Sequence, residues 1–263
     1  MIELVDDCAR CVGLCCVALG FSRSADFALD KPAGEPCPNL DERFRCRVHE
    51  QLPDLGFPGC VTYSCFGAGP MLTRAFAGRD WRRDPATARE VFDAFPIARE
   101  LHELLWHVRA ALAAPLDGAL TGGLADAAER IEGVLRAQPS GIAAPARDRL
   151  RELTTTLLRR ASAQLRGPAT GVDLSGADLM GADLRHTDLS RASLRGALLL
   201  GADLRGVVLD RTDLTGADLR RVRLDDADLG RALFVTESQL RAARGSVTTV
   251  LPPGTARPSS WSA

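Results

Sequence analysis

The sequence predicts an α+β protein of several domains, and three observations support this. All 8 cysteines of the 263 residues fall between Cys8 and Cys65. Leucine recurs at every fifth position from residue 174 to residue 229. Between these segments, apolar residues recur at helical spacing. A chain of this length also fits two or more domains better than one. We expect a cysteine-rich metal-binding domain (1–80), a helical region (81–166), a repeat domain (167–235) and a C-terminal cap and tail (236–263).

The N-terminal segment lacks the features of an export signal. Met1 to Arg10 contains three acidic residues and no apolar stretch. No apolar run in the chain approaches the roughly 20 residues that a membrane span needs. We therefore expect a cytoplasmic protein with no membrane partner. Cytoplasmic thiols stay reduced, so clustered cysteines are more typical there of metal ligands or redox groups than of disulfides.

The cysteine pattern begins Cys8-x2-Cys11-x3-Cys15-Cys16. On a helix, residues 8, 11 and 15 would lie within about 60° of each other, although Gly13 disfavours a helix. Cys16 would point about 100° away from Cys15, which suits different ions or a multinuclear cluster better than one mononuclear site. Thiolates favour zinc, iron–sulfur clusters or copper(I), whereas a cysteine taken singly can be a small buried hydrophobe. The predicted metal ligands are Cys8, Cys11, Cys15, Cys16, Cys37, Cys46, Cys60 and Cys65.

These residues resemble a bacterial cysteine-cluster family with the signature CxxCxxxCC, named for zinc or iron chelation. Its later motifs have counterparts in Cys37-Pro38-Asn39-Leu40, in Cys46-Arg47-Val48-His49, and in Cys60 with Cys65. The resemblance implies bound zinc or an iron–sulfur cluster. For some relatives it implies a link to protein modification, including flagellin lysine methylation. His49 stands where the family often has tyrosine, so it is an additional candidate ligand.

The middle of the chain has helical patterning. Asp84 and Pro85 form a typical N-cap and first turn. A second helix is predicted from 124 to 137, and a third from Pro145 onward. Glycine and proline predict breaks at Gly122-Gly123 and between residues 139 and 145. The first helix carries an apolar stripe of Leu101, Leu104, Leu105, Val108 and Leu112.

The C-terminal part has a period of five that excludes a helix, since five residues turn an α-helix by 500°, a drift of about 140° per repeat. A small residue stands two positions before each leucine, as in Ala177-Asp178-Leu179-Met180-Gly181. This motif resembles the pentapeptide-repeat family. The resemblance implies a right-handed quadrilateral β-helix of about three coils, with leucines inside and four pentapeptides per coil. Thr236 to Gln239 forms a capping-box pattern that predicts a short helix through Ala243.

Several functions are consistent with these patterns. We expect a metal-binding protein that holds zinc or an iron–sulfur cluster and whose repeat domain docks a protein or peptide. Such a protein could be a peptide- or protein-modifying metalloenzyme. The sequence nominates no catalytic residue. One alternative is a non-enzymatic interaction scaffold. Another is a DNA mimic that protects gyrase, as some pentapeptide-repeat proteins do. Eleven aspartates facing nine arginines between residues 171 and 234 disfavour the mimic. The net charge of −1 argues against nucleic-acid binding.

Overall fold

The structure is a computed structural model, and it describes residues 1–137, 144–169 and 171–261. The chain divides into two compact units. The first contains Met1–Ala113 and Asp117–Leu158, and the second contains Ala114–Leu116 and Arg159–Ala263. In the described part of the chain, no helix has both the length and the apolar character that a membrane span requires. Of the predicted break between residues 139 and 145, residues 139 to 143 lie outside the described residues, and a helix begins at Ala144.

Residues 1–80, the cysteine module, contain little regular structure. Short helices form at Leu14–Ala18 (α1), Pro58–Thr62 (α2) and Ala68–Ala75 (α3), and single 3-10 turns form at Cys8–Arg10 and His49–Gln51. A continuous helix through the first cysteines does not form. Cys11 is extended and Gly13 has a φ of 71°, in the left-handed region that glycine tolerates best. The prediction that one helical face carries Cys8, Cys11 and Cys15 is therefore wrong.

The helical part consists of α4 (Pro85–Leu112), α5 (Gly118–Ala137) and α6 (Ala144–Arg166). The predicted start of α4 is confirmed, because the Asp84 side chain accepts a hydrogen bond from the Ala86 amide at 3.0 Å. The predicted break at Gly122-Gly123 is wrong, since both glycines lie inside α5. Each glycine in a helix interior costs about 1 kcal/mol relative to alanine, and here there are two in succession. The buried apolar face of α5 outweighs that cost; it comprises Leu120, Leu124, Ala127, Ile131 and Leu135.

The core of the first unit fixes the cysteine module in place. Helices α1 and α3 both pack against α4. Leu14 and Val17 of α1 are fully buried, as are Leu72 of α3 and Phe95 of α4. The short helices that carry or flank cysteines are therefore held from one side by apolar packing.

The second unit contains the repeat region, residues 171–234. Parallel bridges join residues twenty positions apart, as in the series Asp173, Ser193, Asp213 and Leu233. This confirms four pentapeptides per coil and about three coils. Across the described part of this region the pairing consists of single bridges and not of extended strands, so the β component of the predicted α+β class is only partly supported. Hydrogen bonds such as Leu194 N to the Asp213 carbonyl, 2.9 Å, tie each coil to the next.

The inward leucines are almost fully buried from the second coil onward. Leu194, Leu204 and Leu209 are 0% exposed. The first coil differs, because Leu174 is only partly buried and Val172 is 48% exposed. The expectation that every small residue and leucine lies inside is thus wrong for this coil. A terminal coil has only one neighbouring coil to cover it.

The C-terminal end of the repeat region is covered as predicted. Thr236 and Gln239 form a reciprocal capping box that starts α7 (Glu237–Ala242). Beyond it, Arg244 and Val250 continue the ladder by pairing with earlier coils. Trp261 is 1% exposed, and its ring packs directly against Gly245. A Cβ at Gly245 would stand 2.6 Å from Trp261 Cε3.

A buried carboxylate also links parts of the second unit. Asp213 is 0% exposed and accepts hydrogen bonds from Ser162 Oγ at 2.5 Å, Arg195 Nη1 at 2.9 Å and Thr215 Oγ1 at 2.6 Å. Burial alone would raise the pKa of Asp213. The Arg195 charge and these hydrogen bonds outweigh burial and lower that pKa below its ordinary value.

Candidate functional site

The cysteine module encloses a cavity of about 420 Å³, called here the cysteine cavity. All eight cysteines are free thiols. Seven of them line this cavity, together with His49 and several aromatic rings. The volume falls in the range of about 300 to 1,000 Å³ that is usual for ligand sites. The lining thiols are Cys8, Cys11, Cys15, Cys16, Cys37, Cys46 and Cys60.

The first turn is held by two side chains. The Asp7 carboxylate accepts hydrogen bonds from the backbone amides of Ala9 and Arg10 and so caps the Cys8–Arg10 turn. Arg45 donates to the Cys8 carbonyl at 2.5 Å and to the Ala9 carbonyl at 2.6 Å. Arg45 immediately precedes Cys46 in the chain, so this contact brings the segments that carry Cys8 and Cys46 together.

Helix α1 directs two adjacent thiols into the cavity. Leu14 and Val17 face the apolar core, and Cys15 and Cys16 line the cavity. The Sγ atoms of Cys15 and Cys16 lie 3.8 Å apart. Two sulfurs bound at about 2.3 Å to one tetrahedral ion are separated by about 3.8 Å. The argument that adjacent cysteines suit different ions is therefore not supported by this geometry.

The remaining cavity thiols come from loops and from α2. The Cys37 amide donates to the Cys16 carbonyl at 2.9 Å, which places this loop beside α1. Cys46 lies in an antiparallel bridge with Leu40. Cys60 lies in α2, where its neighbour Gly59 lets the Phe27 ring approach closely; a Cβ there would stand 2.5 Å from Phe27 Cζ.

Cys65 occupies a different position from the other seven, since it does not line the cysteine cavity in the described structure. Its thiol donates to the Asp6 carboxylate at 3.2 Å. It nevertheless lies near Cys11, because only Gly69, which has no side chain, stands between the two sulfurs. A Cβ at Gly69 would stand 2.8 Å from the Cys11 sulfur and 3.6 Å from the Cys65 sulfur.

Burial and crowding disfavour thiolates in the absence of a cation. Burial raises the pKa of Cys8 to about 11 and that of Cys60 to about 12, and the negative charges of neighbouring thiolates add to the effect. Burial and Asp6 raise the pKa of Cys65 to about 12. The hydrogen bond between Cys15 and Cys16 raises the pKa of Cys15 and lowers that of Cys16. A cation that entered the cavity would therefore have to displace protons.

The kinds of ligand atom at the cavity and the distances between them lead to different conclusions about a metal. Soft thiols with one imidazole match the preferences of zinc and of iron–sulfur clusters. Among the described residues, however, no three His, Cys, Asp or Glu side chains are grouped so that they could hold one metal ion. The thiols surround the cavity without converging on a single point. A mononuclear site would require some of these side chains to rotate inward.

Two residues were missed by the sequence reasoning: Tyr63, which lines the cavity, and Lys31, which packs against the lining ring of Phe21. Lys31 is the only lysine and Tyr63 the only tyrosine of the chain. Lys31 is 3% exposed, and its ammonium contacts three backbone carbonyls. Tyr63 lines the cavity, and its buried hydroxyl oxygen has no hydrogen-bond partner in the part of the chain that the structure describes. Their rarity was the available signal, since the chain otherwise uses arginine for positive charge.

A family model of pentapeptide repeats matches residues 169–196 and 197–234 in eight copies. These residues therefore carry pentapeptide repeats, as the sequence motif indicated. The match lies outside the cysteine module, so the resemblance of residues 8–65 to a cysteine-cluster family stays a hypothesis.

Two similar proteins give further context. An uncharacterized protein of Bacillus subtilis, YybG, is 44% identical over 135 residues, which are 51% of this chain and 48% of YybG. The chain thus spans about half the length of that relative. A pentapeptide repeat protein from the thylakoid lumen of Arabidopsis thaliana, known from a crystal structure, is 29% identical over 34% of this chain and 56% of its own, with a TM-score of 0.25.

Proposed function

We propose that the cysteine cavity binds a soft metal through thiolates, as zinc or as an iron–sulfur cluster. One observation carries this proposal: thiols from positions 8 to 60 of the chain line a single cavity together with His49. Free thiols from several separate segments that share one cavity form the kind of donor set that soft metals use. Burial first, and neighbouring thiolates second, raise the pKa values of Cys8 and Cys60, so a bound cation would have to offset both effects.

Cys15 and Cys16 are the strongest candidates for ligands of a common ion, because of the 3.8 Å between their sulfurs. Two further donors from among the other five cavity thiols and His49 would complete a four-coordinate site after their side chains rotate inward. Bound zinc would stabilise the module, and a bound iron–sulfur cluster would in addition supply one-electron chemistry.

We infer that the repeat region is a docking surface for a protein or peptide. Its coils are tied together internally, and much of its surface charge is paired within the unit. Arg185 pairs with Asp183 at 2.7 Å, and Asp203 pairs with Arg205 at 2.7 Å. Leu198 and Val208 are 43% and 51% exposed on its faces. In this proposal the metal module acts on, or is regulated by, a protein that the repeat region holds.

Metal analysis tests the first proposal. The full chain, purified without oxygen, should contain zinc, or iron with sulfide, in near-stoichiometric amount. The double variant Cys15→Ser/Cys16→Ser should lose most of this metal, while Cys65→Ser, the matched control outside the cavity lining, should retain most of it. Wild-type protein that is folded but takes up neither zinc nor iron would contradict the proposal.

Site-directed cross-linking tests the second proposal. A photo-reactive residue at position 198 or 208, on the faces of the repeat region, should cross-link a defined protein in the native host. The same group at the exposed loop position Arg23 of the cysteine module serves as the control. Equal cross-linking at all three positions would argue against docking on the repeat region.

A further inference from the structure

Lys31 is the only lysine in a chain with 33 lysines and arginines. Its side chain is buried, and its ammonium donates to the carbonyls of Val17 at 3.2 Å, Pro32 at 3.0 Å and Glu35 at 2.9 Å. An ammonium has three donors, so every one is used. A guanidinium is planar and has five donors, and it does not match three carbonyls arranged around one point. This explains chemically why arginine does not replace lysine here.

The three carbonyls belong to two segments that carry cavity thiols. Val17 follows Cys15 and Cys16 in α1, whereas Pro32 and Glu35 belong to the loop that leads to Cys37. The backbone of the same loop also reaches α1, because the Gly34 amide donates to the Val17 carbonyl at 2.9 Å. The Lys31 ammonium therefore clamps the loop to the helix.

The base of the Lys31 side chain is fixed as well. Lys31 and Phe21 exchange two backbone hydrogen bonds, of 2.8 and 2.9 Å, in an antiparallel bridge. The ammonium also lies 5.5 Å from the centre of the Phe21 ring, and that ring stacks on Phe27 with 4.3 Å between centroids. Both rings line the cysteine cavity. The positive charge is thus held at a defined place against the Phe21 ring, which itself lines the cavity.

This charge lies beside the thiols most directly involved in the proposed centre. The ammonium contacts the carbonyl of Val17, the residue after Cys16, and negative charge on Cys37, Cys16, Glu35 or Cys15 would favour its protonated form. A thiolate metal centre carries a net negative charge, since four thiolates exceed the charge of one divalent ion. Burying such an anion is costly unless a cation offsets it.

We propose that Lys31 is a positioning residue of the cysteine cavity, which fixes the Cys37 loop against α1 and supplies the buried positive charge that balances bound thiolates. Only the charge-balancing role of Lys31 rests on the proposed metal-binding function. The clamp itself is a property of the metal-free protein.

The test compares Lys31→Met and Lys31→Arg in the full chain, with Arg23→Met as the matched control. Arg23 is exposed in the same loop, so its removal lowers the charge without touching the clamp. Zinc affinity is measured by competition with a chelator, and amide hydrogen exchange at Gly34 and Cys37 is measured in metal-free protein. Lys31→Met should weaken zinc binding ten- to a hundredfold, the usual effect of losing a group that supports the ligands, and should speed exchange at both amides.

Lys31→Arg should speed exchange similarly but weaken zinc binding less, because the charge remains. Arg23→Met should change neither quantity. The inference is overturned if Lys31→Met binds zinc within twofold of wild type and leaves exchange at both amides unchanged. Should Lys31→Met fail to fold, Lys31→Gln replaces it, since an amide retains two donors. If wild-type protein binds no metal, the proposed function fails, and the exchange data alone still decide on the clamp.

Discussion

The repeat region and the cysteine module satisfy their backbone polar groups in different ways. In the repeat region, backbone amides of one coil donate to carbonyls of the next coil, about twenty residues away. In the cysteine module, many carbonyls are instead capped by cationic side chains, including Lys31, Arg45 and Arg82. A repeated backbone pattern is compatible with many different side chains on its surface. An irregular loop held by specific side chains places particular groups at particular points, which is what a site for chemistry requires.

The two regions also differ in how stability is distributed. Each buried leucine of the repeat region contributes roughly 1.5 to 3 kcal/mol before conformational entropy is subtracted, and the coils add these contributions. The cysteine module has short helices and a 420 Å³ cavity at its centre. Its loops are therefore the part that a bound ligand would stabilise most.

The largest expected effect concerns the one buried carboxylate network of the described repeat region. Replacing Asp213 by alanine should destabilise the second unit by about 3 to 5 kcal/mol, because Arg195 would lose its buried partner. Hydrogen exchange of amides between residues 171 and 234 reports this free energy of opening. Asp188→Ala, at an exposed equivalent position, should cost far less. Equal losses of opening free energy in the two variants would show that the burial of Asp213 does not cause the effect.

The same network predicts a pH dependence with a definite sign. Because the pKa of Asp213 is lower in the folded protein than the roughly 3.9 of an unfolded chain, its contribution is present above about pH 4. The contribution is lost as the pH falls through the folded pKa. Asp213→Asn should make the opening free energy of this unit less dependent on pH below about 4.

A further prediction compares two leucines of the same unit. Leu209→Ala should destabilise the repeat region by about 2 to 5 kcal/mol, since Leu209 is 0% exposed and its loss leaves a cavity. Leu198→Ala should change stability by less than about 0.5 kcal/mol, because Leu198 is 43% exposed. Comparable losses at both positions would contradict the assignment of inner and outer faces.

The architecture of the repeat region could be predicted because one local rule is applied many times. The spacing of five excludes a helix, and the same small residue and leucine then enter the same environment in each coil. Only its first coil departs from the rule, since Val172 has a neighbouring coil on one side alone. That departure depends on position in the stack, which the repeat motif does not encode.

The geometry of the cysteine module could be predicted only in part. The identity of the thiols was visible, and seven of them do line one cavity. Their arrangement depends on unique long-range contacts, such as Arg45 with the Cys8 carbonyl, which have no periodic signal. The exclusion of Cys65 from the lining follows from its hydrogen bond to Asp6, across 59 positions of sequence. Such a contact cannot be read from spacing.

Another prediction concerns metal binding and pH. Since burial raises the pKa of Cys8 to about 11 and of Cys60 to about 12, zinc must displace protons from these thiols. Apparent zinc affinity should therefore rise by at least about tenfold per pH unit between pH 6 and 8, which is about 1.4 kcal/mol. Chelator competition at several pH values measures this. An affinity that does not change with pH would mean that thiolates are not the ligands.

The smallest expected effect, Tyr63→Phe, separates stability from ligand binding within the cavity. The Tyr63 hydroxyl oxygen is buried and lacks a hydrogen-bond partner among the described residues. Because an unsatisfied buried polar group is destabilising, its removal should leave the free energy of unfolding unchanged or raise it by up to about 1 kcal/mol. If that hydroxyl donates to a group bound in the cavity, the same substitution should weaken metal or ligand retention. A variant that is both less stable and unchanged in metal content would show that the hydroxyl has a structural partner and no role in binding.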